Sequence, residues 1–367
     1  MKIKNKKVLM GLSGGVDSAV ATLLLKKDGY EVTGAFMKNF SETKNKITGE
    51  CNWVEEKKEA QKIAAILNIK FITLNFEKEY LKKVIDPMFE AYSKGFTPNP
   101  DALCNKIIKF PLLWEKAKSL KYGYIATGHY IKKIKTKDGL AIKIPKDKAK
   151  DQSYFLFELT QKDLEHTLFP LGDLKKEKVR KIAKKNKFPN YQKKGTSGIC
   201  FVGKINMKSF LKQKIKQKKG NIKNPEGEII GKHDGIMFYT IGERIGERLG
   251  FGIGKKFRNK YGEKLYVVKK DIEKNILVVA EKEHEAHLRS NFFIKNINLI
   301  DKKEKFPLEK IKIRIRHLGE FHFANICKKN KKYEVKLKKP MKDIAEGQSV
   351  VIYQKEKILG GGEIRFA

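Results

Sequence analysis

Six residues near the start of the chain, Ser13-Gly14-Gly15-Val16-Asp17-Ser18, have the types and order needed to hold a phosphate. A short apolar run at 7–12 precedes them and a helical apolar face at 19–27 follows. A strand, a glycine-rich turn and a helix start together make an anion site. Glycines let backbone N–H groups approach, and the first helical turn carries partial positive charge. Ser13 and Ser18 add hydroxyl donors, and Asp17 is a candidate to hold a magnesium ion that accompanies pyrophosphate. A plain turn with a helix cap is the competing explanation. The chain has no G-x-x-x-x-G-K-[ST], which excludes a Walker A site, and no G-x-G-x-x-G after a strand, which disfavours a dinucleotide fold.

The second set of candidates is built on sulfur. The four cysteines stand at 51, 104, 200 and 327, with no C-x-x-C and no His/Cys cluster at zinc spacing. No resident metal site is therefore expected. Cys104 lies in TPNPDALCN, residues 97–105. The two prolines make a rigid, non-helical lead into a helix predicted to begin near Asn105. A thiol at a helix N-terminus is a better nucleophile, and Asp101 beside it is placed to act as a base or to orient a substrate. Cys200 lies in GTSGICFVG, residues 195–203, with Lys193 and Lys194 close enough in sequence to favour a thiolate. For both cysteines a buried structural thiol fits the local pattern equally well. Cys51 and Cys327 have no such setting and are read as structural.

These residues need a scaffold. Short apolar runs at 7–12, 32–37, 71–74 and 124–127 alternate with helical patterns at 19–27 and 54–67. That alternation predicts a doubly wound parallel sheet, with ligands beyond the carboxyl ends of its strands. Residues 204–220 read as a lysine-loaded helix, and the turn-rich NPEGEIIGKHDG, 224–235, as the opening of a middle module. From about Tyr239 onward, β-rich runs punctuated by turn residues predict a barrel or sandwich. No internal repeat of fixed period is present.

Composition bounds the rest. A chain of 367 residues with 40% hydrophobic and 10% aromatic residues is neither disordered nor core-poor. It contains no long apolar run for a membrane helix and no leader-like start, so a cytoplasmic enzyme is expected. The 81 Lys+Arg against 42 Asp+Glu give a formal charge of +39. Only eight of the basic residues are arginines, and Ile and Asn are abundant, so part of the excess is compositional drift. A surface this positive still attracts a polyanion, by backbone charge more than by base reading.

SGGVDS resembles the PP-loop of the ATP pyrophosphatases, which cleave ATP between the α and β phosphates and use AMP to activate a carbonyl oxygen. The remaining motifs narrow this. FMKNF, TPNPDALCN, ATGHY, DQSYFLF, FPLGDLKKEKVR, SGICFVG, YTIG and the closing GQSVVIY…LGGGEI run in family order, and together resemble the tRNA-specific 2-thiouridylases of the MnmA family. The resemblance implies an α/β fold: an N-terminal PP-loop sheet of the adenine nucleotide alpha hydrolase type at 1–205, a small central tRNA-binding module at 206–284 and a C-terminal β-barrel at 285–367. It implies ATP, with magnesium, over Gly11, Leu12, Ser13, Gly14, Gly15, Val16, Asp17 and Ser18, with Met37 and Gly128 also at the nucleotide. It implies that Cys200 carries sulfur as a persulfide, that Cys104 is its partner in a disulfide or the group that attacks the base, and that Asp101 is catalytic. Asn99, Pro100 and Asp101 would cradle the target uridine. His129, Lys150, Asp151, Gln152, Arg316 and Gln348 fall at positions the family uses near tRNA. The implied partners are tRNA and a sulfur-relay or cysteine-desulfurase donor, with no membrane.

The chemistry is coherent. Oxygen on a pyrimidine C2 leaves poorly, and as AMP it leaves well. A persulfide delivers sulfur without free sulfide, and a second thiol resolves the bond by exchange. The target base must leave its stack to reach such a site. A different PP-loop enzyme, activating a small-molecule carbonyl, is the alternative. It would need no cysteine pair. A basic nucleic-acid binder without catalysis would need neither the loop nor the pair. Two departures from the family stand out: Gly195 for an Asp, with Thr196 and Ser197 in exchanged order, and Glu243 for a Gln ahead of an extended charged stretch.

Overall fold

The computed structural model describes residues 6–41, 51–193, 195, 198–203, 205–245, 252–253, 264–330 and 332–366. Lys194, Thr196, Ser197, Lys204 and most of the charged stretch after Glu243 lie outside the described residues.

The N-terminal third alternates as the apolar runs predict. Strand β1 (Lys7–Gly11) leads to helix α1 (Val16–Lys27), β2 (Glu31–Lys38), α2 (Asn52–Ile66) and β3 (Lys70–Asn75). Helices α3 (Glu77–Tyr80), α4 (Asp86–Ser93), α5 (Pro100–Cys104) and α6 (Phe110–Ser119) precede β4 (Tyr124–Ala126). Next come a hairpin of β5 (Lys132–Thr136) and β6 (Gly139–Lys143), then α7 (Gln161–His166), β7 (Thr167–Leu168) and α8 (Lys176–Lys185). Five strands form one parallel sheet in the order β3-β2-β1-β4-β7. Side chains alternate across a strand, so β1 feeds two cores. Val8 and Met10 pack with α1, α2 and α8, whereas Leu9 packs with α4, α5 and α6. Helices on both faces make this a doubly wound α/β sheet.

The helix that carries Cys104 starts at Pro100, not near Asn105. The Asn99 side chain caps it by accepting from the Ala102 N–H at 3.1 Å, and Pro100 occupies its first position, where a missing N–H costs nothing. The lysine-rich 204–220 segment is also shorter in helix than its composition suggests. Among the described residues of the segment only α9 (Met207–Leu211) is helical, anchored by buried Phe210 and Leu211.

The middle module is a six-stranded sheet built from β8 (Gly220–Lys223), β9 (Ile229–His233), β10 (Arg244–Ile245), β11 (Gly252–Ile253), β12 (Leu265–Asp271) and β13 (Ile276–Glu281). Its sheet opens at Gly220, and 224–235 supplies the β8–β9 turn and the β9 strand. The core under α4–α6 continues without a break into this module through Ile222, Phe238, Tyr239, Val267 and Val279.

The C-terminal strands are β14 (Leu288–Leu299), β15 (Leu308–Arg314), β16 (His322–Lys329), β17 (Lys332–Lys342), β18 (Ser349–Gln354) and β19 (Lys357–Arg365). They run in the order β14-β17-β16-β15-β18-β19, and β14 also pairs with β19, which closes a six-stranded antiparallel barrel and removes its edges. The β5–β6 hairpin leaves the parallel part of the chain and joins this barrel, with Ile142 opposite Ile358. No helix among the described residues is long and apolar enough to cross a membrane.

Candidate active site

The Ser13–Ser18 loop sits where a doubly wound sheet places its ligands, just beyond the carboxyl end of β1. It is held by its own short-range bonds. The Ser13 N–H donates to Ser18 Oγ at 3.2 Å, Ser18 Oγ donates to the Gly15 carbonyl at 3.0 Å, and the two serine hydroxyls lie 3.2 Å apart. Gly14 adopts φ +72°, and a Cβ there would stand 2.4 Å from the Glu56 carbonyl oxygen. Gly15 caps α1 without any side-chain bond, so the first-turn N–H groups of a twelve-residue helix are open to an anion. From outside the loop, Asn190 Nδ2 donates to the Gly14 carbonyl at 2.8 Å.

Asp17 does not behave as a metal ligand. Its oxygens take the Lys176 ammonium at 2.6 and 2.7 Å and the Tyr130 hydroxyl at 2.7 Å. Among the described residues no group of three or more His, Cys, Asp or Glu side chains is placed to hold a metal ion. Lys176 thus already places a positive charge on the Asp17 carboxylate.

The sulfur centre lies on the other side of the same strand ends. Cys104 closes α5 and is fully buried, while Cys200 sits half-buried in the turn at 198–203. Asp101 Oδ1 accepts from the Cys200 backbone N–H at 2.7 Å, and the Tyr80 hydroxyl donates to the Cys200 carbonyl. These bonds span ninety-nine and 120 positions of the chain. The two thiols lie near enough for each to act on the other's charge. Burial pushes the Cys104 thiol well above its ordinary value, which reverses the expectation of a low-pKa thiol at a helix start. The neighbouring Cys104 thiol, then the charge of Lys109, holds Cys200 below the ordinary range against its burial. Burial raises the Asp101 carboxyl, and the Cys200 N–H opposes that rise.

Lys109 reaches this centre because of a wide turn. Residues Asn105–Lys109 form a π-helical turn between α5 and α6. In an ordinary helix a residue five positions further on points about 140° away. The i→i+5 turn returns it to the same side, so Lys109 faces the cysteines. Its ammonium lies 3.5 Å from His129 Nε2 and 5.4 Å from the Phe201 ring centre, and its charge acts on Cys200, Cys104 and Asp101. Of the two basic neighbours that the sequence offers, Lys193 is paired with Glu59 at 2.5 Å and Lys194 lies outside the described residues.

One segment joins the two halves. Gly128 lies against the start of α1, where a Cβ would stand 2.9 Å from the Ser18 nitrogen, and Tyr130 holds Asp17. His129, between them, turns to Lys109 and stacks on Phe110 at 5.7 Å. A lysine can only donate, so His129 Nε2 accepts and its Nδ1–H donates to Thr127 Oγ1 at 2.8 Å. Burial, and then Lys109, depresses its pKa, which keeps the ring neutral.

The barrel closes the other side. Asn99 Nδ2 donates to Ser349 Oγ at 3.0 Å, and His317 Nε2 donates to the Asp151 carbonyl at 2.8 Å. Asp151 itself is buried and paired with Arg314 at 2.8 Å, so its carboxylate faces protein. Gln152 Oε1 accepts from the Tyr130 N–H at 2.9 Å, and Arg316 donates to the Asp343 carbonyl at 2.9 Å. Lys150 and Arg316 are exposed. Asn105 Oδ1 and Gln348 Oε1 are buried acceptors without a partner. Met37 is buried at the end of β2. Lys109, Tyr80, Lys176 and His317 are the functional neighbours that local sequence does not single out. A lysine five positions after Cys104 is a signal only once the turn is known to be wide.

Profiles of known families match along the whole chain. One described as a tRNA methyl transferase HUP domain covers residues 6–204, a tRNA methyl transferase PRC-barrel domain covers 208–281, and an aminomethyltransferase beta-barrel domain covers 289–364. The tRNA-specific 2-thiouridylase MnmA 1 of Geobacillus kaustophilus is 41% identical over 364 residues, which is 99% of this chain and 96% of the relative. The corresponding MnmA of Buchnera aphidicola is 43% identical over 370 residues, 98% of this chain and 97% of its own. MnmA 2 of Aliarcobacter butzleri is 38% identical over 371 residues, 99% of each.

Proposed function

The chain belongs to the MnmA family of tRNA-specific 2-thiouridylases, and on that footing we propose that it converts the wobble uridine of tRNA to 2-thiouridine at the expense of ATP. The observation that carries this reading is that the fold brings Cys200 to the helix of Cys104, with Asp101 of that helix accepting from the Cys200 N–H. An ATP-cleaving enzyme without sulfur chemistry has no use for that pair.

In this reading the open N–H groups of α1 and the hydroxyls of Ser13 and Ser18 hold the nucleotide phosphates, with residues 11–18, Met37 and Gly128 lining the nucleotide. Asn99, Pro100 and Asp101 orient the uridine, and the open acceptors Asn105 Oδ1 and Gln348 Oε1 suit its ring N–H. The uridine O2 attacks the α-phosphorus and pyrophosphate leaves. The terminal sulfur of a Cys200 persulfide then attacks C2, and the O2 departs with AMP. Cys104 sulfur attacks Cys200 Sγ, the S–S bond to the base breaks, and the products are a thiocarbonyl and a Cys104–Cys200 disulfide. A thiol reductant resets the pair. We assign magnesium to the nucleotide substrate, and no step here passes through it. His129, Lys150, Asp151, Gln152, Arg316 and Gln348 line the approach of the tRNA. In this reading residues 1–205 carry the chemistry, while the modules at 206–284 and 285–367 grip tRNA. The protein acts in the cytoplasm and receives sulfur from a persulfide-bearing donor protein.

The test is 2-thiouridine formed in unmodified tRNA with ATP, magnesium and a persulfide donor, comparing the wild type with Cys200→Ser. Product from the wild type alone is expected, with at least a thousandfold loss in the variant. Pyrophosphate released without any thiouridine from the wild type would move the adenylate to another acceptor.

A further inference from the structure

We propose that Tyr80 is a positioning residue for sulfur transfer: its hydroxyl, together with the Asp101 carboxylate, fixes the main chain of Cys200 and so sets the direction in which the Cys200 sulfur points. The proposal rests on the thiouridylase reading above and deepens it.

A cysteine that meets a donor, a base and a second thiol in turn needs its sulfur held in one place. The turn at 198–203 does not achieve this by itself. Its own bonds run from the Val202 and Gly203 N–H groups to the Ile199 carbonyl, at 3.1 and 2.8 Å, and pass over Cys200. Phe201, the next residue, takes φ +65°, a left-handed conformation that a side chain adopts only at a cost. A turn of this kind keeps its shape when its surroundings hold it.

Two helices hold it, one on each side of the Cys200 Cα. Asp101 Oδ1, on α5, accepts from the Cys200 N–H at 2.7 Å, and the Tyr80 hydroxyl, at the end of α3, donates to the Cys200 carbonyl. The backbone of a residue has only two soft dihedrals. With its N–H and its C=O both tied, Cys200 has neither free, and its Cα–Cβ bond has one direction. Only the rotamer about that bond is left to place the sulfur.

Tyr80 is fully buried. Its ring packs edge-on against Phe201, with centres 5.9 Å apart and planes at 82°, and against Phe40 at 6.3 Å. The ring thus supports the left-handed residue, and the hydroxyl ties the residue before it. Burial, and then the charges of Cys104, Cys200 and Asp101, raises the pKa of the phenol, so it keeps its proton and stays a donor. A phenylalanine would fill the same space. What the tyrosine adds is one donor aimed at one carbonyl.

The experiment follows the Cys200 amide in the full chain, with cysteine labelled with heavy nitrogen so that NMR shows only the four cysteine amides. Cys200→Ser assigns the signal. In the wild type, exchange of that amide with deuterium should be at least about tenfold slower than in a free peptide, and Tyr80→Phe should speed it about tenfold. The amides of Cys104 and Cys327, in α5 and β16, are the reference and should keep their rates. Thiolation by Tyr80→Phe should fall about tenfold in kcat, with the KM for tRNA and for ATP unchanged. An unprotected Cys200 amide in the wild type, an equal speeding of all three amides in the variant, or full kcat in a variant whose Cys200 amide is released would each overturn the proposal. The first of these needs no variant and survives a folding failure of Tyr80→Phe. Neither tRNA nor ATP is present in the exchange measurement. A wild type that makes no thiouridine therefore sinks the thiouridylase reading, whereas the amide rates alone decide whether Tyr80 anchors the turn.

Discussion

The phosphate loop and the sulfur centre are built in opposite ways. The serine bonds that shape the loop close within five positions of the chain, and a helix start completes it. The sulfur centre is tied across ninety-nine positions between Asp101 and Cys200, and its outer wall comes from a barrel that begins at Leu288. Hydrogen bonds between near neighbours form wherever the local chain is right. Bonds across a hundred residues form only after the sheet, the wide turn and the barrel are in place. The loop should therefore tolerate damage to the barrel, and the sulfur centre should not.

The largest expected effect tests that difference. Arg314→Met leaves the buried Asp151 carboxylate without its partner, a loss of about 3–5 kcal/mol of stability. Thermal unfolding should show it, and thiolation should fall by more than tenfold. Nucleotide binding by the folded fraction should stay near wild type. An equal loss of both would mean that the two regions are one cooperative unit. The reverse experiment is Gly14→Ala. It forces a Cβ against the Glu56 carbonyl in a left-handed backbone, strain of about 1–3 kcal/mol. Calorimetry should show ATP bound about thirtyfold more weakly, while the pH midpoint of Cys200 alkylation stays put. A shifted midpoint would show that the loop reaches the cysteines after all. Smallest is Lys176→Met. Removing the ammonium leaves a carboxylate at a phosphate site with only the Tyr130 hydroxyl. The KM for ATP should rise about tenfold, about 1.4 kcal/mol, and an unchanged KM would mean that Lys176 serves only to dock α8.

His129 marks how much of this was legible. ATGHY points to a strand end with a functional histidine. The backbone there turns Gly128 and Tyr130 to the loop and His129 to Lys109, and no local pattern says which residue faces which half. Lys193 and Lys109 make the same point more sharply. Sequence proximity favours Lys193 and Lys194 as cations beside Cys200; Glu59 holds the first, and among the described residues the lysine whose charge acts on Cys200 is Lys109, from a turn far earlier in the chain. The helix that carries Cys104 starts earlier than its prolines suggest for a local reason: Pro100 opens a helix as readily as it ends one.

Residue order alone determined the parallel sheet and the phosphate loop, because strand and helix periodicity and turn chemistry act over a few residues, and its motifs in sequence pointed to the family. Tertiary structure decided that Cys104 and Cys200 share a site with Asp101 and Lys109, that Asp17 is paired with Lys176, and that a hairpin at 132–143 belongs to the barrel. Charge and burial at a site depend on every group within a few ångströms. The chain brings those groups together only by folding.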